Sequence, residues 1–355
     1  MRITDFKCRR LTMRLKRPIK VALGEISCGD TVLVRLDTDC GLSGFGEGSG
    51  VPFVTGEDSA DVLSGAERLA EAALGRSPFE AGAIHRAMDA AATGRSAAKA
   101  AIDIALYDLM AKAAGMPLYR FLGGDCPVVE TDKTITLAPP SEMAAEAAQL
   151  ARQGFRHIKI KAGESPEADI EAVRLIREAV GPGVSLKLDA NQGWSVSVAR
   201  KVMGQLEGCG ISALEQPLPA WDLHGMAALR GAVGAPLMAD ESCFSPEDAA
   251  NLLRLGAAEL LNIKLMKSGG LYKARRINAV ADAMGAQCML GCMTESRIGI
   301  AAAASLAAAE PNIAWADLNS VMFFDESGEL HGGGSMRGPE LRLSEEPGLG
   351  VWADF

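Results

Sequence analysis

The chain has 355 residues, enough for two domains or for one large barrel with an appendage. Apolar residues make up 48% and charged residues 23%, a globular balance that excludes a disordered chain and supplies ample core. With 36 basic against 45 acidic residues the net charge is −9, the opposite of what a nucleic-acid partner requires.

The opening residues, MRITDFKCRR, lack the apolar stretch of a signal peptide, so the expected compartment is the cytoplasm. Strand-like text covers residues 1–15 and 31–48. In the second stretch Val32, Val34 and Leu36 alternate with Leu33, Arg35 and Asp37. Asp39-Cys40-Gly41 stands where a turn would join two antiparallel strands. Between the stretches, Arg17 to Asp30 reads as a loop carrying Lys20 and Glu25 among apolar residues. From Ser59 to Gly115 the text is helical and Ala-rich. AAKAAIDIALYDLMAKAAG reads as an amphipathic helix with Gly115 at its C-cap and Pro117 beyond. Residues 1–122 are therefore expected to form an α+β unit, a sheet followed by helices.

After Gly123-Gly124 the pattern becomes periodic. Eight short β-type runs fall near Thr131–Leu137, His157–Ala162, Ser185–Ala190, Ala213–Gln216, Pro236–Asp240, Leu260–Leu265, Gln287–Gly291 and Ile313–Leu318, separated by Ala/Glu/Arg-rich helical stretches. Strand and helix alternating at this period imply parallel strands with right-handed crossovers, and residues 123–320 fit a (β/α)8-type barrel. An open doubly wound sheet would be expected to show a glycine fingerprint after its first strand, and none is present. The longest apolar run, Ile298 to Ala309, is too short to span a bilayer, so no membrane partner is expected. Residues 321–355 are Gly-rich and irregular and are expected to return to the N-terminal unit. The eight Cys form no CxxC pair and read as free, mostly buried thiols. Trp194, Trp221 and Trp315 read as packing residues, and all four His lie away from the strand ends that follow.

Active sites of such barrels lie at the C-terminal ends of the strands. The second run, H-I-K-I-K, points Lys159 and Lys161 the same way. The third ends on Asp189 and Asn191, the fourth on Glu215, the fifth on Asp240 and Glu241, and the sixth carries Lys264 and Lys267. From Lys161 to Lys264 an ionisable residue recurs every 24 to 28 residues, at a matched height on five neighbouring strands. A single strand-end Asp is ordinarily a cap or turn residue. Five in succession, each after an apolar run, need another reason. Three carboxylates with no His or Cys nearby make a hard oxygen site that suits Mg²⁺ best, with Mn²⁺ as the alternative. Lys161 and Lys264, on opposite sides of the barrel, would face each other across the metal. Each is a proton acceptor if cation and burial push it toward neutrality, whereas Lys267 reads as a surface or loop lysine.

These residues, K-I-K at Lys159–Lys161, D-A-N at Asp189–Asn191, E-Q-P at Glu215–Pro217, D-E-S at Asp240–Ser242 and N-I-K-L-M-K-S-G-G at Asn262–Gly270, strongly resemble the enolase superfamily in its muconate lactonizing enzyme branch. The resemblance covers the whole chain. It implies Mg²⁺ on Asp189, Glu215 and Asp240, Lys161 and Lys264 as an acid/base pair, and Lys159 tuning Lys161. Within that branch E-T-D-K-T at Glu130–Thr134, P-F-V-T-G-E at Pro52–Glu57 and G-C-M-T-E-S at Gly291–Ser296 resemble the dipeptide epimerases of the L-Ala-D/L-Glu type. The implied activity is inversion of an α-carbon by 1,1-proton transfer through a metal-stabilised enediolate, in a homo-oligomer acting on a small molecule. Thr134 and Ser296 are candidate substrate contacts, against the readings of a strand-face Thr and a helix N-cap Ser. Lys20 could pair with an acidic substrate side chain, against the reading of a solvated charge. One departure stands out. Where the dipeptide epimerases carry D-x-D to hold the substrate's ammonium, this chain has Asp317-Leu318-Asn319. The neutral amide shifts the expectation toward an N-acylated or alkylated nitrogen. The alternatives are therefore an N-acylamino acid or proline-derivative racemase, and a lyase of the same superfamily, a dehydratase or an o-succinylbenzoate synthase.

Overall fold

The computed structural model describes residues 1–325 and 328–355. Its first unit is an antiparallel sheet of β1 (Ile3–Val21), β2 (Gly24–Thr38) and β3 (Ser43–Gly48). The turn at residues 39–42 closes with the Gly41 N–H on the Thr38 carbonyl. The segment expected to be a loop is instead a hairpin. Past a register break between Arg14 and Ile19, β1 and β2 pair Ile19 with Ile26, Lys20 with Glu25 and Val21 with Gly24. Ile19 and Val21 share one face and Lys20 takes the other, the period of a strand.

Helices α1 (Ser59–Ala70), α2 (Ala81–Ala91) and α3 (Ser96–Ala113) follow. The α3 segment, expected to be amphipathic, is buried at every residue from Ala97 to Ala111 because it lies between the sheet and the barrel. Its approach to β3 explains the sequence S-G-F-G-E-G. A Cβ at Gly44, Gly46 or Gly48 would collide with the carbonyl oxygen of Ala105, Ala101 or Ala97. The alternate residues, Phe45 and Glu47, take the opposite face of the strand.

The second unit is the barrel. Its strands are β4 (Lys133–Ile135), β5 (His157–Lys161), β6 (Ser185–Asp189), β7 (Ile211–Glu215), β8 (Leu237–Ala239), β9 (Leu260–Lys264), β10 (Gln287–Gly291) and β11 (Ile313–Asp317). They pair in parallel and in sequence order, and the Asp132 N–H on the Ala316 carbonyl, 2.9 Å, links the first strand to the last. Each strand overlaps one run read from the sequence. The helices are α4 (Pro140–Arg152), α5 (Pro166–Val180), α6 (Val196–Gln205), α7 (Leu223–Leu229), α8 (Pro246–Leu255), α9 (Leu271–Ala283) and α10 (Arg297–Ala309). Ser165 and Ser245 cap α5 and α8 ahead of a first-turn Pro. Outward strand residues such as Ile160, Leu188 and Ile263 join the main core, while Ala213, Met238, Leu260 and Met289 plug the barrel's lower interior. The next inward positions up, one pleat apart, are the strand ends.

The C-terminal stretch spans both units. Ser335–Arg337 and Glu340–Arg342 extend Val128–Glu130 as a small sheet, and Leu330–Gly332 pairs with Val351–Ala353. The Lys16 N–H reaches the Phe323 carbonyl, and Arg9 reaches that of Asp354. Three expectations need correction. All eight Cys are free, but only Cys243 and Cys288 are buried, while Cys28, Cys40 and Cys126 are exposed. Trp221 is 81% exposed and so is not a core packing residue, whereas Trp194 is buried with its indole N–H on Asp169. Lys267 is buried, as the site below explains. No described helix is long and apolar enough to cross a membrane.

Candidate active site

Asp189, Glu215 and Asp240 follow one another at the ends of β6, β7 and β8, all fully buried. Carboxylate oxygens from the three lie within 4.8 Å of one another, the only such metal-ligating group among the described residues. Glu215 Oε2 is buried with no hydrogen-bond partner among the described residues. A buried oxygen left unpaired in an all-oxygen donor set fits a divalent cation.

Four lysines surround these carboxylates. Lys159 Nζ donates to Glu215 Oε1 at 2.8 Å and to Asp317 Oδ2 at 3.0 Å, and lies 2.9 Å from Asp189 Oδ2. Lys161 Nζ meets Asp189 Oδ2 at 2.7 Å and Asn191 Oδ1 at 2.8 Å. Lys264 Nζ meets Asp240 Oδ2 at 2.8 Å. Lys267 lies 2.5 Å from Asp240 Oδ1 and donates to the Asn262 carbonyl at 2.9 Å. It is thus part of the site's floor, reached through the short helical turn Leu265–Ser268 after β9. Sequence reasoning also gave no role to Asn262, whose amide donates to Glu215 Oε1 at 2.8 Å, or to Gln216, whose side-chain oxygen accepts the Asp240 N–H at 3.0 Å. Both sit inside the quoted motifs, which is the signal that marks them.

Burial sets the electrostatics and charge decides each outcome. Burial pushes the Glu215 carboxyl up, and Asp189 adds to it, to about 7. Burial acts the same way on Asp189, but Lys159 and Lys161 outweigh it and hold the carboxyl below its usual range. Asp240, facing Lys264 and Lys267, is held well below. Burial disfavours the charge on Lys264, yet Asp240 prevails and holds the ammonium above the ordinary lysine range.

The cavity over this floor is lined by Lys159, Lys161, Asn191, Lys264, Asp317 and Asn319 below. Its rim is apolar, with Ile19, Val21 and Ile26 from the hairpin, Phe53 from the helical turn Pro52–Thr55, and Met293 and Phe323 from loops. A larger cavity of about 480 Å³ under the C-terminal stretch is lined mainly by apolar groups such as Met13, Ile300 and Leu341, and its Arg297 is committed to two carbonyls. Chemistry therefore belongs to the barrel mouth.

The remaining expected contacts divide. Thr134 lines the cavity and donates to Asp317 Oδ1 at 3.2 Å. Asn319 turns its amide N–H onto the same oxygen at 2.6 Å. Ser296 does not line this cavity. Its hydroxyl donates to Glu47 Oε2 at 2.6 Å and accepts the Ile298 N–H, so it caps α10. Glu47, from the opposite unit, also accepts the Ser296 N–H at 2.7 Å and the Gly299 N–H at 2.8 Å, a carboxylate seated on a helix N-terminus. Lys20 is exposed beside Glu25 at 4.0 Å and does not line the cavity either.

A capped barrel that sets two lysines on the flanks of three convergent carboxylates defines an enzyme of the proton-abstracting kind. Residues 4–123 match the model of the mandelate racemase / muconate lactonizing enzyme N-terminal domain, and residues 142–354 match the enolase C-terminal domain-like model. The chain belongs to the mandelate racemase / muconate lactonizing enzyme family. It is 43% identical to the hydrophobic dipeptide epimerase of Enterococcus faecalis, over 99% of both chains. It is 39% identical to the L-Ala-D/L-Glu epimerase of Clostridium acetobutylicum, again over 99% of both. The crystal structure of the dipeptide epimerase from Enterococcus faecalis V583 complexed with Mg and the dipeptide L-Leu-L-Tyr superposes with a TM-score of 0.96 at 42% identity, covering 99% of each chain. A substrate-liganded complex of the L-Ala-D/L-Glu epimerase from Bacillus subtilis gives 0.96 at 38% identity, with the same coverage.

Proposed function

We propose that the protein is a Mg²⁺-dependent epimerase that inverts an α-carbon of dipeptides with apolar side chains. The observation that carries this is the placement of Lys161 and Lys264 on two sides of one buried carboxylate group within one cavity. A 1,1-proton transfer needs a base on each face of the carbon, and Lys161 and Lys264 would supply one each. Asp189, Glu215 and Asp240 would hold the cation, which supplies positive charge opposite the carboxylate as the neighbouring carbon loses its proton. Mn²⁺ suits the same oxygens. The cap and barrel loops exclude water from this floor, and Lys159 neutralises the surplus carboxylate charge beneath it.

The rim selects the side chains. The cations that line the cavity, Lys159, Lys161 and Lys264, are engaged with the floor, and Lys20 lies outside. An acidic side chain bound at the rim would be buried without a partner, so apolar ones are favoured. A second reading, racemisation of an N-acylated amino acid, is favoured by one observation, the neutral Asn319 beside Asp317. Incubation in D₂O with L,L-dipeptides and N-acyl amino acids separates the two. Deuterium at the α-carbon and a second diastereomer from the dipeptides support the first reading. Exchange confined to N-acyl substrates supports the second, and loss of 18 Da overturns both in favour of a lyase.

A further inference from the structure

The two bases are seated differently. Lys161 Nζ has two side-chain acceptors, Asp189 Oδ2 at 2.7 Å and Asn191 Oδ1 at 2.8 Å. Lys264 Nζ has one among the described residues, Asp240 Oδ2 at 2.8 Å. A neutral lysine amine carries only two N–H bonds and one lone pair. When both N–H bonds are held by acceptors the lone pair has one direction left. With one held, the nitrogen still turns about its Cε–N bond.

Asn191 is itself fixed. Its Nδ2 donates to Glu241 Oε1 at 3.1 Å, and its backbone N–H donates to Asp189 Oδ1 at 2.9 Å. Lysine offers donors only and a carboxylate accepts, so the amide has one orientation that satisfies both neighbours, with oxygen to Lys161 and nitrogen to Glu241. The backbone takes a left-handed φ of +40° at Asn191 and +67° at Gln192, a region Asn tolerates better than most residues. That turn aims the side chain back over the strand end rather than onward into the loop. The Gln192 N–H on the Gln216 carbonyl, 2.8 Å, holds it there. Glu241 is buried, and among the described residues its Oε2 has no hydrogen-bond partner, which leaves Oε1 to hold Asn191.

We propose that Asn191, held in orientation by Glu241, is a positioning residue for Lys161 alone, aiming that lysine's lone pair at one face of the substrate's α-carbon. The step it serves breaks the Cα–H bond, forms an N–H bond on Lys161 and leaves the electron pair on the substrate. The argument rests on the two-base epimerase reading.

The test is α-proton exchange in D₂O, followed separately for the two diastereomers of one apolar dipeptide with the Mg²⁺-loaded enzyme. Lys161→Ala first shows which diastereomer presents its proton to Lys161. Asn191→Ala should slow exchange of that diastereomer roughly 10- to 100-fold relative to the other, the scale of a misplaced reacting group. The double variant Asn191→Asp with Glu241→Gln exchanges donor and acceptor but keeps the chain of contacts, and should restore the ratio to within about threefold of wild type. Mg²⁺ titration calorimetry on Asn191→Ala should show affinity within about twofold of wild type, since its side chain donates nothing to the triad. Equal slowing of both diastereomers, a tenfold loss of Mg²⁺ affinity, or no restoration by the double variant overturns the positioning role. Absence of exchange by the wild-type enzyme with any dipeptide overturns the epimerase reading instead.

Discussion

The floor and the rim of the cavity are built from opposite materials. The floor comes from barrel strands, is dense in charge, and has nearly every group tied to another. The rim comes from the cap hairpin and loops, is apolar, and holds its shape by packing. A floor of this kind fixes a reaction because its groups cannot be exchanged singly. A rim of this kind fixes a preference because its residues contribute separately. The following changes test that division, in descending order of effect.

Lys161→Ala and Lys264→Ala should each abolish inversion while leaving α-proton exchange on opposite diastereomers, read by mass spectrometry in D₂O. Loss of both exchanges in both variants would mean a one-base floor. Asp240→Asn should lower kcat/KM by roughly 10³-fold or more and remove Mg²⁺ binding in calorimetry, because it takes charge from the triad and from two lysines at once. Full turnover with excess EDTA would contradict the metal assignment. Glu47→Ala leaves two backbone N–H groups and a hydroxyl buried without an acceptor and should cost about 3 kcal/mol in urea unfolding, with Glu47→Gln costing less. At the rim, Ile26→Arg should raise kcat/KM for dipeptides with acidic side chains relative to apolar ones by roughly 10- to 100-fold, the scale of a charge-assisted pair. The smallest effect is expected from Asn319→Asp, which should favour free-amine dipeptides over their N-acetylated forms by roughly tenfold, one hydrogen bond to charge. An unchanged ratio would remove Asn319 from the nitrogen's surroundings and the second reading with it.

The same division governs what could be read from the sequence. Strand ends of a parallel barrel repeat at the length of one strand, one helix and two loops, so Lys161, Asp189, Glu215, Asp240 and Lys264 announce themselves by spacing. Lys267 does not, because it lies three residues past a strand end, in a helical turn that folds it back under Asp240. The hairpin is hidden in the sequence for a different reason. Lys20 and Glu25 carry the charge that draws attention, but they face out, and the informative residues are the plain Ile19, Val21 and Ile26 beside them. Ser296 has the right type for a substrate contact and is turned away by Glu47, a partner 249 positions distant in sequence. Amphipathicity failed for α3 because both of its faces are interior.

Glu47 on the N-terminus of α10, together with the Asp103 carboxylate on the Leu271 N–H at the start of α9, ties the base of the cap to two successive barrel helices. These anchors are buried, so swinging the cap as a rigid body would expose several unpaired donors and carboxylates together. The hairpin is tied more lightly, by backbone bonds to neighbouring loops, the Lys16 N–H on the Phe323 carbonyl and the Leu137 N–H on the Lys20 carbonyl. It is a two-stranded ribbon that runs past the third strand and starts at a break in register. The space it covers is about 100 Å³, below the roughly 300–1,000 Å³ common for small-molecule pockets. For that space to admit a dipeptide, the ribbon is the part expected to bend, with the cap's base holding still. Turnover should then depend on the stiffness of residues 15–26, and a disulfide or proline that stiffened them is expected to slow it without touching a single reacting group.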